Sequence, residues 1–171
     1  WGYLEQHLRK LDLPKAFVFD EKSVGSEEKP YLVFLTTGKL PVMDLSSIPC
    51  VAPLCSEVWK EHFIAALKNP ALNAKEAATL KHYLGIIYLE NEEVSSALTC
   101  WLEVMAEMPN AWTARNLAAL EQRRGFLKGT LEHYERATTL PGFDLDVSIA
   151  EEYCKVLVDN KMVEKARALF D

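Results

Sequence analysis

Residues 84 to 109 read LGIIYLENEEVSSALTCWLEVMAEMP and contain two apolar runs at helical spacing. Leu84 and Tyr88 fall on one face of the first run, and Trp101 lies within a wide apolar stripe of the second. The polar residues ENEE separate the runs, and Pro109 closes the second one because proline cannot continue a helix. The stretch therefore predicts two helices joined by a tight turn.

The same arrangement of small and aromatic residues recurs further along the chain. Ala97 and Trp101 correspond to Thr130 and Tyr134, and then to Ala166 and Phe170, at separations of 33 and 36 residues. The preceding helices match in turn at Leu84 and Gly85, at Leu117 and Ala118, and at Tyr153 and Cys154. Small residues let two helices approach closely, and the aromatic residue fills the gap to the next pair. Since one helix pair cannot bury both faces, the pattern predicts a stack of pairs.

These positions resemble the tetratricopeptide repeat. Leu84, Gly85, Tyr88, Ala97, Trp101 and Pro109 stand where that family has leucine, glycine, tyrosine, alanine, an aromatic residue and proline. The resemblance implies a mostly α fold, namely an α-solenoid of stacked antiparallel helix hairpins. We expect units at about 73–110, 111–142 and 144–171, preceded by a capping helix at 56–69.

Polar residues at the predicted helix starts indicate where individual helices begin. Asn73 followed by Glu76 has the spacing of a capping box. Asn110 is placed to cap the helix after Pro109, and Asp144 or Asp146 can start the first helix of the last unit.

Residues 1–55 differ in residue pattern from the rest of the chain. Their pattern predicts a small α/β appendage or the end of a preceding domain. Leucines at helical spacing predict a helix over 3–11, while AFVFD at 16–20 and YLVFLTTG at 31–38 predict two strands. Three prolines within 38–55 indicate an extended linker that packs along the surface.

A second resemblance extends over the whole chain. WGYLE at 1–5, LPKA at 13–16, TTGKLP at 36–41 and NAWTARNLA at 110–118 are similar to the repeat-bearing part of large bacterial proteins of unknown function that also carry mutarotase-like β-sandwich domains. This resemblance implies a parent protein that handles carbohydrate. The start at Trp1, without an initiator Met, indicates a fragment of a longer protein.

Composition and motif content exclude several classes of function. The net charge is -6 and the basic residues are scattered, which argues against nucleic-acid binding. No apolar run approaches the roughly 18 residues that a membrane span needs. No Gly-rich phosphate loop, serine elbow or H-E-x-x-H motif is present. We therefore predict a cytoplasmic fragment without catalytic residues or a cofactor. Whether the parent protein is an enzyme stays open.

The sequence positions of the cysteines indicate a packing role for their side chains and not a reactive or metal-binding one. Cys100 and Cys154 fall among apolar residues of helical segments, where a free thiol behaves as a small hydrophobe. Cys50, Cys55 and His62 would supply three metal ligands, but the second close pair of a zinc signature is missing. We expect no metal site, and the bonding of Cys50 and Cys55 stays open.

In the tetratricopeptide family the first helix of each unit lines a concave face that binds a protein or peptide. The resemblance places these candidate ligand residues on that face: His82, Trp112, Arg115, Asn116, Ala119, Gln122, Glu151 and Lys155, together with Thr79, Tyr83, Ile86, Leu89, Ser148, Glu152 and Val158. In the best-known ligand site of this family, lysines, an arginine and asparagines bind the terminal carboxylate of a peptide. At the corresponding positions of this chain, only Asn116 is a residue of the required type. Since Glu152 would repel a carboxylate, we expect no clamp of that type.

Two interpretations of the central cluster stay open. Trp112 is suited to stack on a peptide side chain or a sugar ring, and Arg115 and Asn116 to hydrogen-bond a polar ligand. Alternatively, Trp112 packs on the previous hairpin, Arg115 forms a salt bridge and Asn116 bonds the backbone. The sequence predicts a scaffold for protein interaction or domain organisation. The alternative is an accessory region of a carbohydrate-active or sugar-binding protein.

Overall fold

The computed structural model describes residues 10, 29–49 and 57–170. Within these residues the chain is mostly helical and contains no strand, so the predicted α class is confirmed. The helices are α1 (Lys29–Thr37), α2 (Glu57–Ala66), α3 (Ala74–Glu90), α4 (Val94–Glu107), α5 (Ala111–Arg123), α6 (Leu127–Ala137), a 3-10 turn (Phe143–Leu145), α7 (Val147–Asp159) and α8 (Val163–Arg167). Consecutive helices pack against each other from α2 onward. No helix in the described ranges has both the length and the apolar character to cross a membrane.

Side-chain caps fix three of the helix starts. Asn73 accepts a hydrogen bond from the Glu76 amide at 2.9 Å, and the Glu76 carboxylate accepts one from the Asn73 amide at 2.8 Å, so the predicted capping box is confirmed. Asn110 caps α5 by accepting from the Thr113 amide at 2.8 Å. Of the two aspartates considered for α7, Asp146 is the cap. These bonds satisfy amides that have no partner within the helix.

Helices α3 and α4 meet at a glycine and a tryptophan. Trp101 is 1% exposed, and its indole lies where a side chain at Gly85 would stand. The indole Nε1 donates to the His82 carbonyl at 3.1 Å, which fixes the orientation of the ring. The close approach of α3 and α4 therefore depends on the absence of a side chain at Gly85.

A second aromatic contact joins α6 to α7. The rings of Tyr134 and Tyr153 are stacked with centroids 5.3 Å apart. Ala118 of α5 and Ala166 of α8 are buried in the same cluster. Four successive helices are thus joined through one group of small and aromatic side chains.

The strand predicted over 31–38 is wrong, because Lys29–Thr37 is helix α1. Aromatic and β-branched residues favour a strand locally, but tertiary packing overrides that preference. Tyr31 and Phe34 lie one helical turn apart and are both buried. Phe34 packs on Phe63 of α2 with ring centroids 5.0 Å apart. The helix predicted over 3–11 and the strand predicted over 16–20 lie outside the described residues, apart from Lys10.

Residues 39–49, here called the strap, follow α1 without regular secondary structure. Leu40 is buried in the cluster formed by α1, α2 and α3, and Met43 is buried against α3 and α4. The irregular segment predicted over 38–55 therefore agrees with the structure as far as Pro49.

Candidate functional site

A cleft of about 170 Å³ lies between α3, α5 and the start of α7, with the end of the strap on its rim. Its lining residues are Ile48, Pro49, His82, Trp112, Arg115, Asn116, Asp146 and Ser148. The structure thus brings together four of the eight main predicted site residues, namely His82, Trp112, Arg115 and Asn116.

Trp112 is a wall of this cleft. It is 7% exposed, and its six-membered ring lies against Gly142 in the turn before α7. Its Nε1 donates to the Asp146 carboxylate at 3.1 Å. The tryptophan therefore packs on the turn that follows α6, and little of its ring face is open for stacking on a ligand.

Arg115 is held by an ion pair that joins α5 to α7. Its Nε donates to one Glu152 oxygen at 2.6 Å, and its Nη2 donates to the other. Nη1 donates to Asn116 at 3.2 Å. These hydrogen bonds to Glu152 raise the pKa of Arg115, which stays charged. The salt-bridge interpretation of Arg115 is therefore the one observed. All three guanidinium nitrogens of Arg115 already donate hydrogen bonds within the chain.

Glu152 accepts a further hydrogen bond from the Tyr134 hydroxyl at 3.2 Å. Burial raises the pKa of the Tyr134 phenol, which keeps the hydroxyl protonated as a donor. Because Arg115 and Tyr134 both donate to Glu152, its carboxylate is partnered, whereas the sequence suggested a group facing a ligand.

His82 joins α3 to α5 beneath the cleft. Its Nδ1 lies 2.8 Å from the Thr113 hydroxyl, and both residues are buried. Burial lowers the pKa of His82 from 6.5 to about 4, because the charged imidazolium would lose its hydration. His82 is therefore neutral at pH 7 and is a packing residue of the cleft floor.

The depressed pKa of His82 makes stability depend on pH. The unfolded chain takes up this proton near pH 6.5 and the folded chain only near pH 4, so stability is lost as the pH falls through that range. Between pH 7.5 and pH 5 we expect His82 to lower the free energy of unfolding by about 2 kcal/mol. Urea unfolding of wild type and His82→Gln at the two pH values measures this loss.

His133→Gln is the matched control, because burial also lowers the pKa of His133, which is less deeply buried than His82. It should remove a smaller part of the pH dependence than His82→Gln does. If His82→Gln keeps the whole pH dependence of the wild type, His82 does not have the depressed pKa that its burial implies.

The other four main candidates are not part of the cleft lining. Ala119 is half-buried, and Gln122, Glu151 and Lys155 are exposed. Asp146 lines the cleft, although the sequence indicated only its role as a helix cap. Ile48 and Pro49 were not predicted as site residues at all, since nothing local to them indicates where the linker runs.

The strap occupies part of the face that the sequence assigned to a ligand. The Met43 amide donates to the hydroxyl of Thr79 at 3.0 Å, and Thr79 is one of the residues predicted for the concave face. The Met43 side chain packs against Ala78, Val104 and Met108. Leu45 packs both against this cluster and against the cluster that contains Trp112. The chain's own strap therefore contacts Thr79, one of the residues that the resemblance assigned to a ligand.

Cys100 and Cys154 are half-buried free thiols that pack against core clusters, as the sequence indicated. Burial raises the pKa of Cys100 to about 11, so its thiol is neutral and unreactive at pH 7. In the part of the chain that the structure describes, no group of three or more His, Cys, Asp or Glu side chains is placed to hold a metal ion.

No model of a known protein family matches the chain, and no curated protein matches it either.

Proposed function

We propose that the chain is a non-catalytic scaffold of tetratricopeptide-like hairpins whose inner helical face binds an extended polypeptide, and that in this protein it holds the strap. The observation that carries the proposal is the contact of Met43 with the helices. Its amide bonds to Thr79 and its side chain is buried against α3 and α4. An irregular segment held by both backbone and side chain is what a peptide-binding face requires.

The proposal of stacked hairpins rests on the pairing of small and aromatic residues. Gly85 accommodates Trp101 between α3 and α4, and Ala118 shares a cluster with Tyr134 and Tyr153 between α5 and α7. We infer that Trp101 and Tyr134, 33 positions apart, have equivalent roles in successive helix pairs. A stack of this kind leaves one continuous face for an extended segment.

The sugar-binding alternative has no comparable support in the cleft. Ring stacking on a sugar needs an open aromatic face, and the Trp112 face is covered by its own turn. The Arg115 guanidinium is paired with Glu152. We therefore propose the scaffold role alone.

The proposal predicts that the Met43 amide is protected from hydrogen exchange and that Thr79→Val removes much of that protection. Valine keeps the shape of threonine but cannot accept the hydrogen bond. Leaving a buried amide unpaired costs about 1–3 kcal/mol, so we expect exchange at Met43 to accelerate by about tenfold or more. Amide exchange followed residue by residue by NMR measures this change.

Thr99→Val is the matched control, because the Thr99 hydroxyl also bonds to the carbonyl four residues earlier but lies on α4 away from the strap. It should leave Met43 exchange unchanged. If Met43 in the wild-type chain exchanges as fast as an unstructured amide, the helical face does not hold the strap and the proposed function is wrong.

A further inference from the structure

We propose that the surface beneath the strap is a binding site for an extended segment of a partner protein, and that the strap is its built-in competitor. This inference rests on the proposed function and adds both the regulation of the site and the chemistry of its ligand. The geometry points to a partner segment with two apolar anchor residues in the spacing of Met43 and Leu45.

The central part of the strap, residues 42–47, is attached to the helices by few contacts. Val42, Asp44, Ser46 and Ser47 are exposed, whereas Met43 is buried and Leu45 half-buried. Among the described residues, the hydrogen bond from the central part of the strap to the helices is the one from Met43 to Thr79, while Lys39 at the start of the strap bonds to Thr37 of α1. The bonds of Ser46 and Ser47 go to Asp44, within the strap itself. The central part of the strap can therefore leave the surface without breaking a bond inside any helix.

The ends of the strap differ from its centre in their anchoring. Leu40 is buried in the core cluster that contains Tyr31 and Phe34 of α1. At the other end, Pro49 is buried and lines the cleft. Because both ends are tied to helices, release of Met43 and Leu45 opens a tethered loop and leaves α1 in place.

The surface favours a particular kind of partner. Met43 and Leu45 stand two residues apart, and both pack against the cluster of Ala78, Val104 and Met108, although the chain turns at Leu45 and Ser46. Thr79 offers an acceptor to a backbone amide at the first anchor. At the cleft end, Arg115 is paired with Glu152, and the Asp146 carboxylate is part of the lining. Among the described residues that line the cleft, no unpaired cation faces an acidic segment, so the partner segment is apolar at its anchors and not acidic at this end.

Tethering determines how strongly the strap competes. A short flexible tether gives an effective concentration on the order of 1 mM. A free peptide that binds the opened surface with a Kd of about 10 µM would then bind the wild-type chain on the order of 100-fold more weakly. The surface is therefore closed to weak ligands and accessible to a tight or abundant partner.

The test uses a fluorescein-labelled peptide with the sequence of residues 38–49, GKLPVMDLSSIP. Met43→Asp in the full chain should release the strap, because a carboxylate would be buried among apolar side chains. By fluorescence anisotropy, we expect the Met43→Asp chain to bind the peptide saturably and at least tenfold more tightly than the wild type. A peptide that itself carries Met43→Asp should not bind.

Val42→Asp is the matched control chain, since it adds the same charge one residue away at a side chain that is 41% exposed. It should bind the peptide as weakly as the wild type. If the Met43→Asp chain keeps the helix content and melting temperature of the wild type but binds the peptide no better, the proposed competition is wrong.

A second measurement covers the case in which Met43→Asp unfolds the chain. Excess unlabelled peptide added to the ¹⁵N-labelled wild-type chain should displace the strap and accelerate exchange of the chain's own Met43 amide. No change at millimolar peptide would overturn the inference. A Met43 amide that is protected in the free chain but not displaced contradicts this inference alone, whereas an unprotected one contradicts the proposed function.

Discussion

Gly85→Ala should lower the free energy of unfolding by about 3 kcal/mol. A methyl group at this position would overlap the indole of Trp101, with Cδ1 and Cε2 only 2.7 Å away. The ring has no free space because it is buried, and its Nε1 is fixed on the His82 carbonyl. Displacing it combines the cost of overpacking, about 1–3 kcal/mol, with the loss of a buried hydrogen bond, about 1–3 kcal/mol. These costs exceed the gain of about 1 kcal/mol from replacing glycine within a helix.

Gly129→Ala is the matched comparison within helix α6. An added methyl there would also come close to an aromatic ring, with Phe126 Cδ1 at 2.6 Å. Phe126, however, is 53% exposed and can rotate into solvent, so we expect a change within about 1 kcal/mol of zero. Urea unfolding followed by circular dichroism compares the two variants. Equal stabilities for Gly85→Ala and Gly129→Ala would show that α3 and α4 do not meet at Trp101.

Gly142→Ala should destabilise the chain by about 3–4 kcal/mol, through two separate effects. The φ of Gly142 is +96°, a conformation that costs a residue with a side chain about 1–2 kcal/mol. The new methyl would also overlap the six-membered ring of Trp112, with Cζ2 at 2.8 Å. Moving that ring strains its hydrogen bond to Asp146, which adds about 2 kcal/mol.

Gly125→Ala separates the two effects. Gly125 also has a positive φ, +72°, but no atom lies within 4 Å of its added methyl. It should therefore cost only the backbone strain of about 1–2 kcal/mol. Equal losses for Gly142→Ala and Gly125→Ala in urea unfolding would mean that Trp112 does not pack on this turn, and that the wall of the cleft is placed incorrectly.

Local signals in the sequence predicted the helices well. The capping box of Asn73 and Glu76 and the cap at Asn110 depend on residues three positions apart, which a sequence shows directly. The helices from α2 to α7 also bury apolar residues at regular spacing. The strand predicted over 31–38 is wrong because the aromatic and β-branched composition favours a strand, whereas burial of Tyr31 and Phe34, one turn apart, stabilises a helix.

Most of the site depends on contacts between residues far apart in sequence. Arg115 and Glu152 are 37 positions apart, and Met43 and Thr79 are 36 apart. Many side chains can form a salt bridge with an arginine, so spacing alone could not select Glu152. The course of the strap could not be predicted either, because an irregular segment has no periodicity that indicates which helices it covers.

Methyl NOE spectroscopy of the wild-type chain tests most directly whether the strap lies on helices α3 and α4. Met43 belongs to one buried cluster with Ala78, Val104 and Met108. We predict cross-peaks between the Met43 methyl group and at least one methyl group of those three residues, across a sequence separation that rules out local contact. A Met43 methyl signal at its random-coil position with no cross-peak to α3 or α4, in a chain that is otherwise folded, would contradict the account.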